Sequence, residues 1–383
     1  MKILQTPIRF HPYIGGVEKY VLDLSAELVK LGHKITVICA NEPLCKEEEK
    51  FNGIKVKRLR YVGKLANTNI SLALPFKILN EDFDILHTHF PSPWSADWSA
   101  VISIIKRKPL VVTYHNDIDN HPTFGFLAKV YSHFFLRFVL KNSEKIIITQ
   151  PDYLKYSNFL KKYESKVITI PNCVDTKRFK ALNCKKNKNT ISFLSCLDSF
   201  HRYKGLDYLI KALWLVKKKI PNIRLIVGGK GKLIEEYKEL AKKLDLEKNI
   251  EFLGYVANTN LVRLYNQSQI FVLPSISHDE GFGIVLLEAM ACKTPVICTY
   301  LAGVAKDVKE NNAGIVIRPK DIRSLGNAII KILTNKKLSE KMQKNALLLV
   351  RKRYDSKKVA RKAERAYKEI IKNESKAHST KSY

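Results

Sequence analysis

Two glutamates flank a glycine turn and the start of an apolar helix in the second half of the chain. Helix-start N–H groups and the positive end of the helix dipole attract phosphate, and glycines allow close backbone approach. Glu288, about two helical turns further on, can accept hydrogen bonds from a vicinal diol such as a ribose. The motif therefore has the chemistry to hold a sugar that carries phosphate. It reads, in order, Glu280, Gly281, Phe282, Gly283 and Ile284.

The same pattern also fits an exposed acid followed by an ordinary helix, and the flanking sequence favours a site. Ile270–Ser275 reads as a buried strand that ends in a loop, and Pro295–Thr299 reads as the next strand. The motif would then lie at the carboxyl end of a strand, where open parallel sheets bind ligands. We therefore expect a nucleotide sugar here, with Glu280 facing the sugar.

A second loop of the same half carries two cations. Arg202 and Lys204 follow a predicted strand, Thr190–Cys196, and precede a predicted helix. Fixed cations in this place can neutralise a diphosphate leaving group; the alternative is a pair of surface charges. The turn Gly228–Gly231 lacks the pattern of an NTPase phosphate loop. Since no Asp-x-Asp pair occurs in a candidate ligand loop, we predict no metal site.

The first half places similar features after its strands. Gly15 and Gly16 open the first predicted helix, where backbone can approach a diphosphate or a sugar. Glu18 follows in the first turn, where it can equally be a surface acid that complements the helix dipole. His115 follows a strand, so a neutral imidazole there can bond a sugar hydroxyl or steady positive charge in the transition state. A histidine bonded within its own loop is the alternative.

The composition excludes several classes of protein. The chain has 383 residues, 45% of them hydrophobic, enough for two domains with full cores. No apolar run is long enough to span a bilayer, and the first residues leave no room for a secretory signal. The seven cysteines show no Cys-x-x-Cys pair. We expect a cytoplasmic protein with reduced core cysteines.

The formal net charge of +31 is unusually high. Such a field attracts nucleic acid, anionic lipid or anionic metabolites. The excess lysines are scattered through predicted helices, without the aromatic interleaving typical of single-strand binders. We interpret them as a solvated surface with some attraction to anionic membranes, and we expect no specific nucleic-acid partner.

Residues 126–141 form a predicted helix with a cationic stripe between apolar lanes. Such a helix is either part of the core or partly membrane-facing. The second alternative suggests a lipid-linked acceptor and peripheral attachment to the inner face of the cell membrane. The stripe is Lys129, His133, Arg137 and Lys141; the lanes are Phe126, Val130, Phe134, Phe138 and Leu127, Tyr131, Phe135, Val139.

Strand-like and helix-like runs alternate through both halves, which predicts doubly wound parallel sheets. We predict a first domain over residues 1–171, a second domain over 172–355, and a final helix with a frayed tail over 356–383; the family resemblance described next implies that the first domain binds the acceptor and the second the donor. The last helix is predicted over Ser356–Lys372. Predicted strands include Ile85–His89, Leu110–Tyr114, Ile270–Leu273 and Pro295–Thr299; predicted helices include Val17–Leu31, Phe126–Asn142, Leu206–Lys218 and Ile284–Ala291.

With these motifs in order, the chain resembles the retaining family 4 glycosyltransferases of the GT-B fold. That resemblance implies two Rossmann-like doubly wound domains facing across a cleft, and a final helix that returns to the first domain. It also implies metal-free sugar transfer with retention of anomeric configuration from a GDP- or UDP-linked donor. The motifs that carry it are Gly15–Glu18, His115, Ile170–Asp175, Lys204–Gly205 and Glu280–Glu288.

The same resemblance assigns roles residue by residue. Lys204 contacts the donor diphosphate, Glu288 the ribose, and His115 lies near the transferred sugar. Glu280 and the backbone of the following turn contact the sugar or phosphate, and Gly16 lies against the diphosphate. The family often has Gly-Arg ahead of its Lys-Gly pair; Ser195–Asp198 stands there instead, and Arg202 would supply the cation. The expected base pocket is the loop Gly254, Tyr255 and Val256.

The loops around His115 and Lys204 are similar to those of a mannosyltransferase-like branch. We therefore expect a hexosyltransferase that acts in the synthesis of a surface polysaccharide, glycolipid or glycoprotein glycan, with no cofactor. Two alternatives stay open: a sugar-nucleotide epimerase of the same fold, and a basic nucleic-acid-binding protein. The first would consume a nucleotide sugar without an acceptor, and the second would bind oligonucleotides but no donor.

Overall fold

The chain divides into two units in the computed structural model, which describes residues 1–13, 15–65, 67–118 and 125–379. One unit comprises Met1–Cys173 and the chain from Ser356 onward, and the other comprises Val174–Asp355. Each has its own buried apolar core. For residues 127, 258 and 376–379 only the backbone is described.

The first unit is built on an eight-stranded sheet in the order β10-β9-β8-β7-β1-β2-β4-β3. Its pairings are parallel except for β3 with β4, and β5 and β6 form a separate antiparallel hairpin. The order reverses between β1 and β7, which makes this the topological switch point. The strands are β1 Lys2–Thr6, β2 Lys34–Ala40, β3 Glu48–Phe51, β4 Ile54–Leu59, β5 Gly63–Leu65, β6 Thr68–Ile70, β7 Ile85–Phe90, β8 Leu110–Tyr114, β9 Lys145–Ile148 and β10 Val167–Thr169.

Helices connect these parallel strands. All residues of β7 and β8 are buried, as expected for strands covered on both faces. The predicted helix Phe126–Asn142 is continuous but contains a π turn, Ser132–Leu136. The helices are α1 Gly16–Lys30, α2 Leu74–Leu79, α3 Pro93–Lys106, α4 Gly125–Tyr131, α5 Arg137–Asn142 and α6 Tyr153–Tyr156, with a 3₁₀ turn at Leu160–Lys166.

The second unit contains a six-stranded parallel sheet in the order β13-β12-β11-β14-β15-β16. Its switch point lies between β11 and β14. The strands are β11 Thr190–Leu194, β12 Arg224–Gly228, β13 Ile250–Gly254, β14 Ile270–Leu273, β15 Val296–Thr299 and β16 Gly314–Ile317. The helices are α7 Leu206–Lys217, α8 Ile234–Lys243, α9 Asn258–Gln267, α10 Ile284–Ala291, α11 Ala305–Glu310, α12 Ile322–Thr334 and α13 Lys336–Leu349, with 3₁₀ turns at Ser199–Lys204 and Glu247–Asn249 and a π turn at Val350–Tyr354.

The last helix, α14, runs from Ser356 to Ser379 and packs on α1 within the first unit. The helix therefore extends beyond its predicted end at Lys372, since no glycine or proline interrupts it before Ser379. Its polar face is strongly basic, whereas Tyr367 and Ile370 are buried. Residues 380–383 lie outside the described part of the chain.

The prediction that the cysteines are core residues holds for four of them. Cys39, Cys173, Cys292 and Cys298 are buried, whereas Cys45 is half-buried and Cys184 and Cys196 are exposed. The two exposed cysteines lie in loops before and after β11, where the chain runs over the surface. Among the described residues, none of the helices combines the length and apolarity needed to cross a membrane.

Candidate functional site

Lys204 and Glu280 meet at the switch point of the second unit. The Lys204 Nζ donates to Glu280 Oε2 at 2.7 Å. Lys204 ends the loop that follows β11, and Glu280 lies in the loop that follows β14. The two loops leave neighbouring strands whose helices pack on opposite faces of the sheet, so a crevice opens there for a ligand. The structure thus brings together two of the predicted site residues.

The pair is largely removed from water. The side chain of Glu280 is 4% exposed and that of Lys204 is 17% exposed. Burial works to lower the pKa of the Lys204 ammonium, but the Glu280 carboxylate outweighs it and holds that pKa above its ordinary value. Lys204 is therefore a fixed positive charge at any physiological pH.

Backbone contacts hold the two loops in register. Gly205 adopts a left-handed conformation with φ 76°, and a Cβ added there would lie 2.3 Å from the carbonyl oxygen of Pro274. The N–H of Ile276 donates to the carbonyl of Tyr203 at 2.8 Å. Only glycine fits this approach, which explains the Lys-Gly pair and places the ammonium beside the carboxylate.

Glu280 is anchored from its own side as well. The Ser275 hydroxyl donates to Glu280 Oε2 at 2.9 Å, and the Thr299 hydroxyl donates to the carbonyl of Ser275 at 2.7 Å. One carboxylate oxygen therefore accepts from both Lys204 and Ser275. Sequence reasoning missed Ser275 and Thr299, although both stand at the ends of predicted strands.

The start of α10 follows directly from this turn. Gly283 caps the helix with φ 85°, which a residue with a side chain adopts only at a cost. Phe282 is buried, and its carbonyl accepts from the N–H of Val304. The first N–H groups of a helix have no intrahelical partner, so those at Ile284 are available for an anionic group.

Glu288 lies on α10 and is 3% exposed. The hydroxyl of Tyr265, on α9, donates to Glu288 Oε2 at 2.8 Å. A buried carboxylate held by a phenol is fixed in orientation, and it keeps acceptor capacity for a second hydroxyl. Tyr265 was not predicted, because nothing in the sequence shows which residue of α9 faces α10.

Two further loops close the same edge of the sheet. Gly229 has φ 135°, and a Cβ there would lie 1.7 Å from the carbonyl oxygen of Ser195. The N–H of Gly229 donates to the carbonyl of Gly254 at 2.7 Å. Tyr255 is exposed, with the ammonium of Lys230 5.7 Å from its ring centroid. The predicted base loop and the glycine-rich turn are therefore hydrogen-bonded neighbours.

Arg202 lies elsewhere. Its guanidinium makes two hydrogen bonds to the carboxylate of Glu236 on α8, at 2.7 and 2.6 Å, and both side chains are exposed. A planar guanidinium matches a carboxylate in this bidentate geometry. The structure does not bring Arg202 to the Lys204–Glu280 pair. Of the two predicted cations, only Lys204 lies at this site.

Among the described residues, one group of three side chains has its potential metal-ligand atoms close enough together to hold an ion. The ligand atoms of Cys196, Asp198 and His201 lie within 4.8 Å of one another. Asp198 Oδ1 already accepts from the backbone N–H and from Nδ1 of His201, at 3.0 and 2.8 Å. Those bonds cap the 3₁₀ turn that leads to Lys204. The sequence search, which looked for Asp-x-Asp, missed this group.

The first unit has its own cluster at its switch point. His115 follows β8, is buried, and its Nε2 lies 3.4 Å from Nδ1 of His89. His89 Nε2 is 2.7 Å from Oε1 of Gln5, and His87 Nδ1 is 2.7 Å from the hydroxyl of Tyr367. The predicted histidine, His115, thus lies in one group with His87 and His89.

Burial keeps these imidazoles neutral. It lowers the pKa of His115 and of His87 to about 3, and, together with the neighbouring histidines, it lowers the pKa of His89 well below its ordinary value. A neutral ring is what the sequence reasoning required of His115. His87 and His89 were missed, although residues two apart on a strand face the same side.

The glycine pair lies at the start of the helix that covers this cluster. Gly15 is the N-cap of α1, with extended backbone, and Gly16 is its first residue. Tyr20, one turn further, packs edge-on against His115 with ring centroids 5.3 Å apart. The structure therefore brings Gly15, Gly16 and His115 together in one region of the first unit.

Glu18 is not a surface acid, and that alternative is wrong. It is largely buried, and burial raises the pKa of its carboxyl to about 7, against the lowering influence of a backbone hydrogen bond and of Arg9. A Cβ added at Gly15 would lie 2.1 Å from Glu18 Oε2. The carboxyl thus folds back over the N-cap.

The helical stretch 125–142 exposes the first of its apolar lanes. Of the second lane Phe135 is exposed, whereas Val139 is buried; the side chain of Leu127 lies outside the described residues. The interpretation of the whole helix as core is therefore wrong. The exposed fractions in the first lane are 79% for Phe126, 39% for Val130, 64% for Phe134 and 38% for Phe138.

Two family models match successive parts of this chain. The model described as glycosyl transferases group 1 matches residues 175–348, and glycosyltransferase family 4 matches residues 14–178. The O-antigen chain mannosyltransferase C of Escherichia coli is 28% identical over 90% of this chain and 92% of its own length. The phosphatidyl-myo-inositol mannosyltransferase of Mycolicibacterium smegmatis is 26% identical over 85% and 82%.

A solved structure shares the architecture. The sucrose-phosphate synthase of Thermosynechococcus elongatus matches with a TM-score of 0.80 at 21% identity, over 97% of this chain and 99% of its own. At that identity the likeness shows the fold alone. The predicted fold class, GT-B with two Rossmann-like parallel-sheet units, is confirmed.

Proposed function

Because the chain belongs to the family 4 glycosyltransferases, we propose that it moves a hexose, with mannose as the first candidate, from a nucleotide sugar to a glycan or a lipid-linked acceptor. The observation that carries this proposal is the buried ion pair of Lys204 and Glu280 at the switch point of the second unit. The mannosyltransferases among the relatives support the choice of sugar.

In this proposal the second unit holds the donor. The diphosphate lies against the start of α10, at Gly283 and Ile284, where backbone N–H groups and the helix dipole stabilise negative charge. Glu288 accepts hydrogen bonds from the ribose hydroxyls, and Tyr265 keeps its carboxylate in place. Glu280 faces the hydroxyls of the hexose, and the loop at Gly254 and Tyr255 receives the base.

Lys204 acts on the leaving group. As the bond between the anomeric carbon and the diphosphate breaks, the electron pair goes to the phosphate oxygen, and the ammonium stabilises that charge. The acceptor oxygen then bonds to the anomeric carbon on the face that the diphosphate leaves, and its proton goes to the departing phosphate. Retention of configuration follows from this geometry, and ¹H NMR of the product tests it.

This transfer needs no metal, because Lys204 and the start of α10 supply the positive potential. His115 remains neutral and offers a hydrogen-bonding ring nitrogen near the transferred sugar. The first unit binds the acceptor. The exposed cationic stripe and apolar lane of residues 126–141 support work at the anionic inner face of the cell membrane, where glycolipid or polysaccharide precursors would be elongated.

Release of nucleoside diphosphate tests the proposal directly. The protein is incubated with GDP-mannose, UDP-glucose or UDP-N-acetylglucosamine, each with and without a lipid or glycan extract as acceptor. Release that depends on acceptor, with a glycosylated product, supports a transferase. Conversion of the donor to its epimer without acceptor would instead support the epimerase, and oligonucleotide binding without any donor reaction would support the nucleic-acid binder.

A further inference from the structure

A groove of about 490 Å³ runs along the first unit between α3 and the helical stretch 125–142. That volume is within the range of small-molecule sites. Asp97 is the one ionisable residue of its lining, and the Tyr131 hydroxyl donates to its Oδ1 at 2.7 Å. The rest of the lining is apolar: Trp94, Trp98 and Val101 on one side, and Phe134, Phe135 and Phe138 on the other.

The aromatic wall of this groove is open to solvent. Phe134 and Phe135 are 64% and 53% exposed, and Phe126 beyond them is 79% exposed. Removing such side chains from water is favourable, because burying apolar surface lowers the free energy. Contiguous exposed apolar surface of this kind marks an interaction site more often than an ordinary surface.

Cations border the apolar surface at regular intervals. Lys129, His133 and Arg137 are each followed directly by an exposed apolar residue, and Lys141 continues the stripe. The stretch 125–142 contains no aspartate or glutamate. The occupant of the groove therefore combines a hydrocarbon part with an anionic group at its edge.

We infer that the groove binds the hydrocarbon chain of a lipid phosphate, with the phosphate at the cationic edge of the groove, which is formed by Lys129, His133, Arg137 and Lys141. This inference rests on the proposed function and names the class of its acceptor: a single-chain or polyisoprenoid lipid whose phosphate carries the growing sugar. A second copy of this chain is disfavoured, because a two-fold contact would bring like charges together.

The tryptophans provide a direct readout. The chain has three; Trp94 and Trp98 line the groove, whereas Trp214 lies on α7 in the other unit. In a Trp214→Phe variant all tryptophan emission comes from the groove. Bromododecyl phosphate, kept below its micelle concentration, is expected to quench this emission saturably. A Trp94→Phe/Trp98→Phe variant, which emits from Trp214 alone, is expected to show no saturable quenching.

Matched substitutions distinguish the contribution of the lipid's hydrocarbon chain to binding from that of its phosphate. In the Trp214→Phe background, Phe134→Ser/Phe138→Ser is expected to weaken binding at least tenfold, whereas Phe76→Ser, which replaces a phenylalanine of similar exposure on α2, leaves it unchanged. Lys129→Gln/Arg137→Gln/Lys141→Gln is expected to weaken binding of the phosphate but not of bromododecyl maltoside. All these positions are exposed, so the variants should fold.

Several outcomes would overturn the inference. These are the absence of saturable quenching, equal weakening by Phe76→Ser, binding only to anionic vesicles, or tighter binding of an oligonucleotide than of the lipid phosphate. Thermal stabilisation by nucleotide sugar is measured on the same variants. Because that readout follows donor binding and not the occupancy of the groove, a variant that loses lipid binding in the groove can be distinguished from a failure of the proposed donor site.

Discussion

Lys204 donates to the carboxylate of Glu280 at 2.7 Å although the two residues are 76 positions apart in the chain. The contact joins the loops that follow β11 and β14, the two strands at which the order of the sheet reverses. Its partners, Ser275 and the backbone at Gly205, belong to the same two loops. Ligand binding and the structure of this edge therefore depend on the same few residues.

Replacing Lys204 by alanine is expected to lower kcat roughly 100-fold or more, because a cation worth a few kcal/mol to the leaving diphosphate is lost. Lys204→Arg should retain part of the activity. Lys211→Ala, which removes an exposed lysine of α7 that pairs with Asp207, is the control and should be near wild type. If Lys204→Ala turns over at a rate near the wild-type value at saturating donor, Lys204 does not stabilise the leaving diphosphate.

Glu288→Gln is expected to raise the donor Kd about tenfold, since a hydrogen bond to a charged acceptor is worth about 1.5–3 kcal/mol. Tyr265→Phe removes only the phenol that orients this carboxylate, so its effect should be smaller and in the same direction. Isothermal titration with the donor measures both. If the two variants bind the donor as wild type does, the ribose lies elsewhere.

Gly205→Ala is expected to destabilise the second unit by about 3 kcal/mol or more, because left-handed backbone costs about 1–2 kcal/mol and the new methyl group meets Pro274. Gly254→Ala is the matched control. It also has a positive φ, 66°, but no atom lies within 4 Å of the added Cβ. Urea unfolding of both variants checks this, and equal losses would contradict the steric argument.

Asp97 makes stability depend on pH. Burial raises the pKa of its carboxyl to about 7, although the hydrogen bond from Tyr131 lowers it. Between pH 4 and 7 the unfolded chain loses this proton while the folded protein keeps it, so this group's contribution to the free energy of unfolding falls as pH rises. Asp97→Asn removes that loss.

Relative to wild type, Asp97→Asn should therefore gain about 4 kcal/mol between pH 4 and pH 8. Tyr131→Phe removes the hydrogen bond that lowers the pKa of Asp97, so it should make the loss of stability over this pH range larger than in the wild type. Urea unfolding across this pH range measures all three proteins. A constant difference between Asp97→Asn and wild type would show that Asp97 titrates normally.

Chelation tests the absence of a metal from the mechanism. Activity is expected to be unchanged after treatment with EDTA, because Lys204 provides the positive charge. Cys196→Ser, in the one described cluster with three potential ligands, should likewise retain activity. Loss of activity with EDTA and recovery on adding zinc would show that this cluster holds a metal that the reaction requires.

Local patterns predicted much of the fold. The bounds of β8, β14 and α10 agree with the sequence analysis, because β8 ends before the polar residue His115, β14 ends before Pro274, and α10 begins after Gly283. The edge strand β3 was missed, since a short half-exposed strand carries little apolar signal. The edge strand β16 was also missed, although Ile315–Ile317 is an apolar run. Helices α11, α12 and α13 were likewise not assigned, although α12 and α13 have capped starts at Asp321 and Asn335.

The candidate site was predictable where chain position alone determines geometry. Glu280, Glu288 and Lys204 each follow a strand, so the parallel sheet places them at one edge. The partner of Arg202 was not predictable, because the contact with Glu236 depends on where α8 lies. The link between His115 and His89 depends in the same way on the pairing of β7 with β8.

Thermal unfolding with GDP-mannose, UDP-glucose and UDP-N-acetylglucosamine side by side tests whether the protein binds a nucleotide-sugar donor. A donor present at 100 times its Kd stabilises the folded state by about 2.7 kcal/mol. We expect one of the three donors to raise the Tm of the wild type, and we expect Glu288→Gln to reduce that shift. No shift with any donor, together with a shift on adding an oligonucleotide, would contradict this expectation.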